Sequence, residues 1–353
     1  MQERRGTGRH RTVKGRTLLW ISISLVQPQS GRTENAEVFF MRHIILALLP
    51  LALAAPATAE TTLKVMTFNV WGAGVNEGKG IEETVAAIRA AGADVVGLQE
   101  TRGEPDPCTP TDCVAKGESR AKALAETLGW HWHDQSGESP ALWSNAVISR
   151  FPITGASPGD LGVKLDIGGR EVWHFNIHLD DEPYQPYQIK GIEYGPAPFV
   201  KTAAEAEDWA ARTRGPAIDL LFEDMKAVEG PVFVTGDFNE PSALDWTEAV
   251  VAAGQQPLAV GWPATARLMA VGFTDAYRAV HPDPVAKPAY TWTPMWTTEE
   301  DPTDKHDRID FVLVRGVTVT GAAIVGEDGP RSDIVAMPWP ADHRAVVATV
   351  TLR

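Results

Sequence analysis

From residue 61 onward, apolar and polar positions follow two rhythms. Leu63-Lys64-Val65-Met66-Thr67-Phe68-Asn69-Val70 alternates in β-forming residues and predicts a strand. A glycine-rich loop follows from Gly72 to Gly80. Ile81, Val85 and Ile88 then recur at helical spacing up to Ala91, and Gly92 is a stop. Asp94 to Glu100 reads as an apolar strand ending in a carboxylate. Ser119 to Leu128 reads as a helix with Ala121, Leu124, Ala125 and Leu128 on one face. Short strands are expected at Ser144 to Ser149, Gly162 to Leu165 and Val172 to His178. The stretch Asp180 to Thr213 reads as a long insertion rich in Tyr, Pro and acid. Ile218 to Val228 predicts a helix, Val232 to Asp237 a strand, and Trp246 to Ala253 a short helix. Arg308 to Arg315 and Val346 to Thr351 are the late strands. With no internal repeat or linker after residue 61, the pattern predicts one α/β domain.

The N-terminal part has a different character. Residues 1–40 carry scattered arginines without apolar periodicity, and are expected to be disordered upstream sequence. At Met41 a new pattern begins. Arg42 and His43 precede an apolar run from Ile44 to Ala55, and Ala57-Thr58-Ala59 closes it. This is the pattern of a secretory signal peptide over 41–59, with cleavage near Ala59. The alternative is a membrane-anchoring N-terminal helix, but the run is short of the ~20 apolar residues that a membrane span needs. The catalytic domain is then expected over 61–353, secreted or periplasmic, with no membrane insertion after cleavage.

This division changes the charge. The 353 residues carry 32 Lys+Arg and 46 Asp+Glu, a net −14. Without residues 1–59, which hold 8 Lys+Arg and 3 Asp+Glu, the balance is −19 over 294 residues. Such acidity argues against a broad polyanion-binding face. Export would also place Cys108 and Cys113 in an oxidising compartment, where a small loop disulfide is expected; the alternative, a metal site, lacks a second Cys pair.

Six polar sites lie at or near strand ends: Asn69, Glu100, His178, the pair Asp237 and Asn239, Asp310, and the pair Asp342 and His343. A carboxylate there is costly unless paired, hydrogen-bonded or metal-bound. Each site also has a structural reading. Asn69 can satisfy a strand-end backbone group, Asp237-Phe238-Asn239 can be a plain turn, and Asp310 can pair with Arg308. Taken together, they converge if the strands share a sheet, since α/β folds place their chemistry at one rim.

In their order along the chain, Thr67-Phe68-Asn69-Val70-Trp71, Leu98-Gln99-Glu100, Asn176-Ile177-His178-Leu179-Asp180, Gly236-Asp237-Phe238-Asn239, Arg308-Ile309-Asp310-Phe311 and Ser332…Asp342-His343 resemble the motif set of the endonuclease/exonuclease/phosphatase superfamily. The resemblance spans residues 67–343. It implies a four-layer α/β/β/α sandwich, two packed mixed β-sheets flanked by helices, and metal-assisted hydrolysis of phosphate esters. It makes Glu100 the main metal ligand, supported by Asn69, with Asp342 at a second or alternative site. His343 would be the general base, oriented by Asp310. Asp237 would orient or deprotonate the attacking water, Asn239 would hold a phosphoryl oxygen, and His178 would donate to the phosphate. The all-oxygen ligands suit Mg²⁺, with Mn²⁺ or Ca²⁺ as alternatives. Asn145 and Arg150 are further candidate phosphate contacts.

Of the other histidines, His131 and His133 read as surface or turn residues, His174 as core or sheet surface, and His306 as part of a charged loop. Tyr184 and Tyr187, in the insertion after His178, could stack on substrate or simply pack. Trp262, Trp292 and Trp296 have the same two readings. The expected substrate is a small soluble phosphoester and the expected assembly a monomer. Nucleic acid, a sphingomyelin-like lipid, or phospho-ligand binding without turnover are the alternatives.

Overall fold

The computed structural model describes residues 60–105, 113–136 and 139–353. The proposed leader, Cys108, and the bridge expected between Cys108 and Cys113 lie outside or reach outside those residues. Among the described residues the strands are β1 (Thr61–Asn69), β2 (Val95–Gln99), β3 (His131–Asp134), β4 (Ala146–Ser149), β5 (Ile153–Ala156), β6 (Gly162–Ile167), β7 (Arg170–His178), β8 (Val232–Asp237), β9 (Thr274–Asp275), β10 (Asp310–Arg315), β11 (Thr318–Gly326), β12 (Ile334–Val335) and β13 (Ala345–Leu352). The α-helices are α1 (Glu82–Ala91), α2 (Ala121–Leu128), α3 (Gln185–Lys190), α4 (Ala203–Asp224), α5 (Glu248–Ala252), α6 (Pro263–Ala270) and α7 (Ala276–Val280).

The strands form two mixed sheets. One has the order β12-β11-β13-β1-β2-β4-β3, the other β5-β6-β7-β8-β10-β9. In the first, β1 is parallel to β2 and antiparallel to β13. In the second, β7 is parallel to β8, and β10 is antiparallel to β8. Helices cover both outer faces. Val85, Ile88, Leu124 and Ala125 pack with Met66, Phe68, Val96 and Leu98 on one side. Ile218, Leu221 and Leu268 pack with Phe175, Ile177, Val232 and Val234 on the other. The expected four-layer sandwich is therefore present.

Strand parity dictates what lies between the sheets. Side chains alternate faces along a strand. In β1, Met66 and Phe68 face the helices while Leu63 and Val65 face the opposite sheet. Val95, Val172, Phe233, Val312 and Val346 join Leu63 and Val65 in that inner core. Further along each strand, the inward stripe turns polar: Thr67 and Gln99 meet His174, Asn176 and Thr235. Asn176 Nδ2 donates to Leu98 O (2.8 Å) and Gln135 Oε1 (2.9 Å), and Asn176 Oδ1 accepts from Gln99 Nε2 and Thr235 Oγ1. Asn176 thus stitches the second sheet to the first. His174 is part of this layer, as its core reading anticipated. It is fully buried with Nε2 2.7 Å from Thr235 Oγ1, and burial pushes its pKa down to about 3.

Several elements differ from expectation. The helix expected from Ile218 begins instead at Ala203. Thr202 and Glu205 form a capping box, and the helix continues through Pro216. The insertion therefore contains α3 and the first half of α4. The edge strand β3 holds His131 and His133, and His133 Nε2 lies 2.6 Å from Asp160 Oδ1. Strand β11 was also unanticipated, because Gly321 interrupts its apolar run.

Gly97 occupies the inward stripe of β2. A Cβ there would lie 2.0 Å from Thr235 Oγ1 and 2.4 Å from Asn176 Oδ1. Gly97→Ala is expected to destabilise the protein by about 1–3 kcal/mol, the usual cost of overpacking. Urea denaturation measures it, and an unchanged midpoint would show that the stitch yields without cost.

Candidate active site

Each inward stripe ends in a chemically active side chain. Asn69 closes β1, Glu100 follows β2, His178 and Asp237 close β7 and β8, Asp310 opens β10, and His343 precedes β13. The parallel pairs bring strand C-termini to this rim, and the antiparallel strands β10 and β13 bring their N-termini. Trp71, Glu100 and Asn239 have left-handed backbone there, with φ of 45°, 56° and 46°. For non-glycine residues this costs ~1–2 kcal/mol each. It turns the chain sharply enough to present side chains at the strand ends.

Asp237 Oδ2 is the centre of the cluster. Asn69 Nδ2 donates to it at 3.1 Å, and the Nε2 atoms of His178 and His343 lie at 3.7 and 3.6 Å. The other carboxylate oxygen, Oδ1, accepts from the Asn239 backbone N–H at 2.9 Å. The Asn239 side-chain amide donates to Leu179 O (2.9 Å) and faces His178 Nε2 at 3.2 Å. His343 Nδ1 meets Asp310 Oδ2 at 2.9 Å. Asp310 is fixed in turn by Thr291, whose Oγ1 accepts from the Ile309 and Asp310 backbone N–H groups. The Trp292 ring stands edge-on to His343, with centroids 4.9 Å apart.

Glu100 is buried. Its Oε1 accepts from Asn69 Nδ2 at 2.7 Å, and its Oε2 has no hydrogen-bond partner. Buried oxygens of Asp310 and Asp342 are likewise without a partner. Burial, then the nearby carboxylates Glu104 and Asp342, hold the Glu100 pKa well above the usual range. Burial raises Asp342 to about 6, opposed by His343 and reinforced by Glu104. Burial alone would lower His343. The carboxylates of Asp310 and Asp237 override it and hold the imidazole well above its ordinary value. Concentrated, under-solvated carboxylate charge with orphaned oxygens fits a hard divalent cation. Two groups have ligand atoms mutually within 4.8 Å: Glu100, His178 and Asp237, and Asp237, Asp310 and His343.

Other expected positions fall differently. Asn69 points its N–H, not its carbonyl oxygen, at the carboxylates, because Oδ1 accepts from the Trp71 N–H at 3.1 Å. As placed, it orients Glu100 instead of offering an oxygen to metal. Asp342 joins neither of the two close groups. Asn145 lies at the rim but is buried, with Oδ1 held by the Trp143 N–H. Arg150 is a correction. It follows β4, which runs antiparallel to β2, so it emerges at the opposite end of the sheet and pairs with Asp94. Tyr184 is a second correction: it is buried, with its hydroxyl on Asp307 Oδ2 at 3.0 Å, and has no face free for substrate. Tyr187 is half-buried and donates to Asp304. Asp304 also accepts from Trp292 Nε1 (3.1 Å) and Trp296 Nε1 (2.8 Å). Trp262 is fully buried against Trp246. His306 is buried 3.5 Å from Asp304. The ion pair considered for Asp310 and Arg308 is absent: Arg308 binds Asp245 and Asp275.

Sequence reasoning missed Thr291, Asp304, Glu104 and Trp143, whose ring stands edge-on to His178 with centroids 6.3 Å apart. None sits in an apolar strand pattern, so none carried a signal.

Solved structures similar to this chain cover most of its length. An AP endonuclease from Archaeoglobus fulgidus is 16% identical with a TM-score of 0.46, covering 81% of this chain and 98% of that one. A 3'-5' exonuclease (NExo) from Neisseria meningitidis is 18% identical with a TM-score of 0.47, at 81% and 98% coverage. In sequence, the Caenorhabditis elegans protein F14F9.5 is 28% identical over 331 residues, 87% of this chain and 97% of its own length. The family model described as Endonuclease/Exonuclease/phosphatase matches residues 66–343, from the middle of β1 to the imidazole at the rim. With that match over most of its length, the chain belongs to the endonuclease/exonuclease/phosphatase family.

Proposed function

We propose that the protein is a divalent-metal-dependent phosphoesterase acting on small soluble phosphate mono- or diesters. The observation that carries this reading is the cluster around Asp237 Oδ2, where an amide and two imidazoles face one buried carboxylate beside the orphaned oxygen of Glu100. Glu100 would hold the cation, and Asn69 would aim its carboxylate. When bound, the cation neutralises the phosphoryl oxygens and stabilises the leaving oxygen.

The remaining roles follow from the side chains. The carboxylates of Asp310 and Asp237 raise the His343 pKa and favour its protonated form. In its protonated form His343 is a donor; it would then bind a phosphoryl oxygen, with Asp237 as the proton acceptor for the attacking water. This revises the sequence-based expectation of His343 as base. His178 and Asn239 hold the other side of the phosphoryl group. Trp292 packs edge-on against the buried His343 ring.

The substrate assignment rests on two features. The insertion and the loop 291–307 are tied together by Asp304 and Asp307, which bind Tyr187, Trp292, Trp296 and Tyr184. This braced wall stands beside His343 and favours a compact ligand. The net charge of −14 disfavours a long polyanion. Export through residues 41–59, and action outside the cytoplasm, are part of the same proposal and rest on the sequence pattern.

A panel of nucleotides, sugar phosphates, plasmid DNA and sphingomyelin tests the substrate class. Release of inorganic phosphate or small esters with little salt dependence is expected, abolished by chelator and restored by Mg²⁺, Mn²⁺ or Ca²⁺. Plasmid nicking that falls steeply with salt would make the protein a nuclease. Full activity in excess chelator would remove the metal. His343→Ala is expected to lower kcat by at least ~10²-fold. Asp310→Asn removes a carboxylate that raises the His343 pKa. Activity that needs the imidazolium is lost as pH rises through that pKa, so the alkaline limb of the rate profile should move to lower pH. An unmoved limb would detach the limb from His343.

A further inference from the structure

Arg214 projects from the middle of α4 and is 1% exposed. Among the described residues, no Asp or Glu forms a salt bridge with it. Its guanidinium is held by three carbonyl oxygens instead. Nη1 donates to Gln185 Oε1 at 2.6 Å, and Nη2 donates to Asp181 O at 3.4 Å and Pro183 O at 3.3 Å. Its Nε has no hydrogen-bond partner. A buried cation without a carboxylate is costly, and an apolar side chain would fill the same space without that cost. An apolar side chain could not, however, fix three oxygens of one turn.

That turn is the start of the insertion. Gln185 is fully buried, and its Nε2 donates to Pro183 O (2.7 Å) and Gln188 Oε1 (3.1 Å). Both ends of the turn reach the candidate site. Upstream, two residues before Asp181, the Leu179 N–H donates to Asp237 O at 3.0 Å. The Leu179 carbonyl accepts from Asn239 Nδ2 at 2.9 Å, and that amide faces His178 Nε2 at 3.2 Å. Downstream, Tyr184 and Tyr187 donate to Asp307 and Asp304, and Asp304 also holds the Trp292 indole beside His343.

We propose that Arg214 is a positioning residue for the phosphoryl site, acting through the 181–185 turn on Leu179 and thereby on the Asn239 amide and His178. This role rests on the phosphoesterase reading above for its kinetic arm alone.

The ring-nitrogen signals of His178 test it, read by NMR at one pH in the full chain with ¹⁵N-labelled histidine. Asn239→Ala removes the facing amide and serves as the reference shift. Arg214→Lys keeps a positive charge but loses the three-point grip, and is expected to move the His178 signals in the same direction. Gln185→Leu removes the shortest of the three contacts, is expected to do likewise, and carries the test if Arg214→Lys fails to fold. With p-nitrophenyl phosphate and bis(p-nitrophenyl) phosphate in Mg²⁺, below the thermal midpoint of each variant, Arg214→Lys is expected to lower kcat ~10-fold with little change in KM, inside the ~10²-fold that a misplacement of about 1 Å can cost. Its effect should add less than fully to that of Asn239→Ala, because both act through one amide. Unmoved His178 signals in the folded variant, or a wild-type kcat, overturn the role of Arg214. Absence of turnover in the wild type on every phosphoester tried overturns the phosphoesterase reading, and the His178 signals then decide the positioning role on their own.

Discussion

The Asn176 amide is the interaction on which the site depends. It lies between two sheets that share no backbone ladder, and its donors and acceptors are satisfied by Leu98, Gln99 and Gln135 on one side and Thr235 on the other. Apolar contact between sheets is non-directional and tolerates sliding. A buried amide with several fixed partners does not, because any shift leaves polar groups unsatisfied at ~1–3 kcal/mol each. Two residues beyond Asn176 on the same strand face is His178. Two beyond Thr235 is Asp237. The stitch therefore sets the distance at which Asn69 of one sheet meets Asp237 of the other.

The inward stripes grade in character from one end of the sandwich to the other. Leu63, Thr67 and Asn69 in β1, and Phe233, Thr235 and Asp237 in β8, pass from apolar to neutral polar to chemically active. The polar middle lets carboxylates approach one another next to a dry core, because it offers hydrogen bonds where the core offers none. Burial still raises Glu100, Asp310 and Asp342. That residual cost is what a bound cation would relieve.

This gradation explains what was legible. Strand cores are written as apolar alternation, so their ends could be placed closely, and the chemistry sits at those ends. β8 matches its expected bounds, and β1, β2 and β7 differ by a residue or two. What local pattern does not write is strand direction within a sheet. Arg150 read as a rim residue because it ends a strand, but β4 runs the other way. Nor does pattern reveal loop contacts over long separations. Tyr184 looked available until Asp307 claimed it. The start of α4 was legible in Thr202 and Glu205, but Pro216 obscured it.

The pairing of β1 with β13 joins Thr61 to Leu352, across nearly the whole described domain. Such a seam closes late in folding, because distant segments must meet before their contacts stabilise them. His343 stands just ahead of β13, so the strand that completes the first sheet also delivers the imidazole. A partly folded chain, with the seam open, would hold the carboxylates without the imidazole. Any chemistry that needs both would then arrive together with the finished sheet.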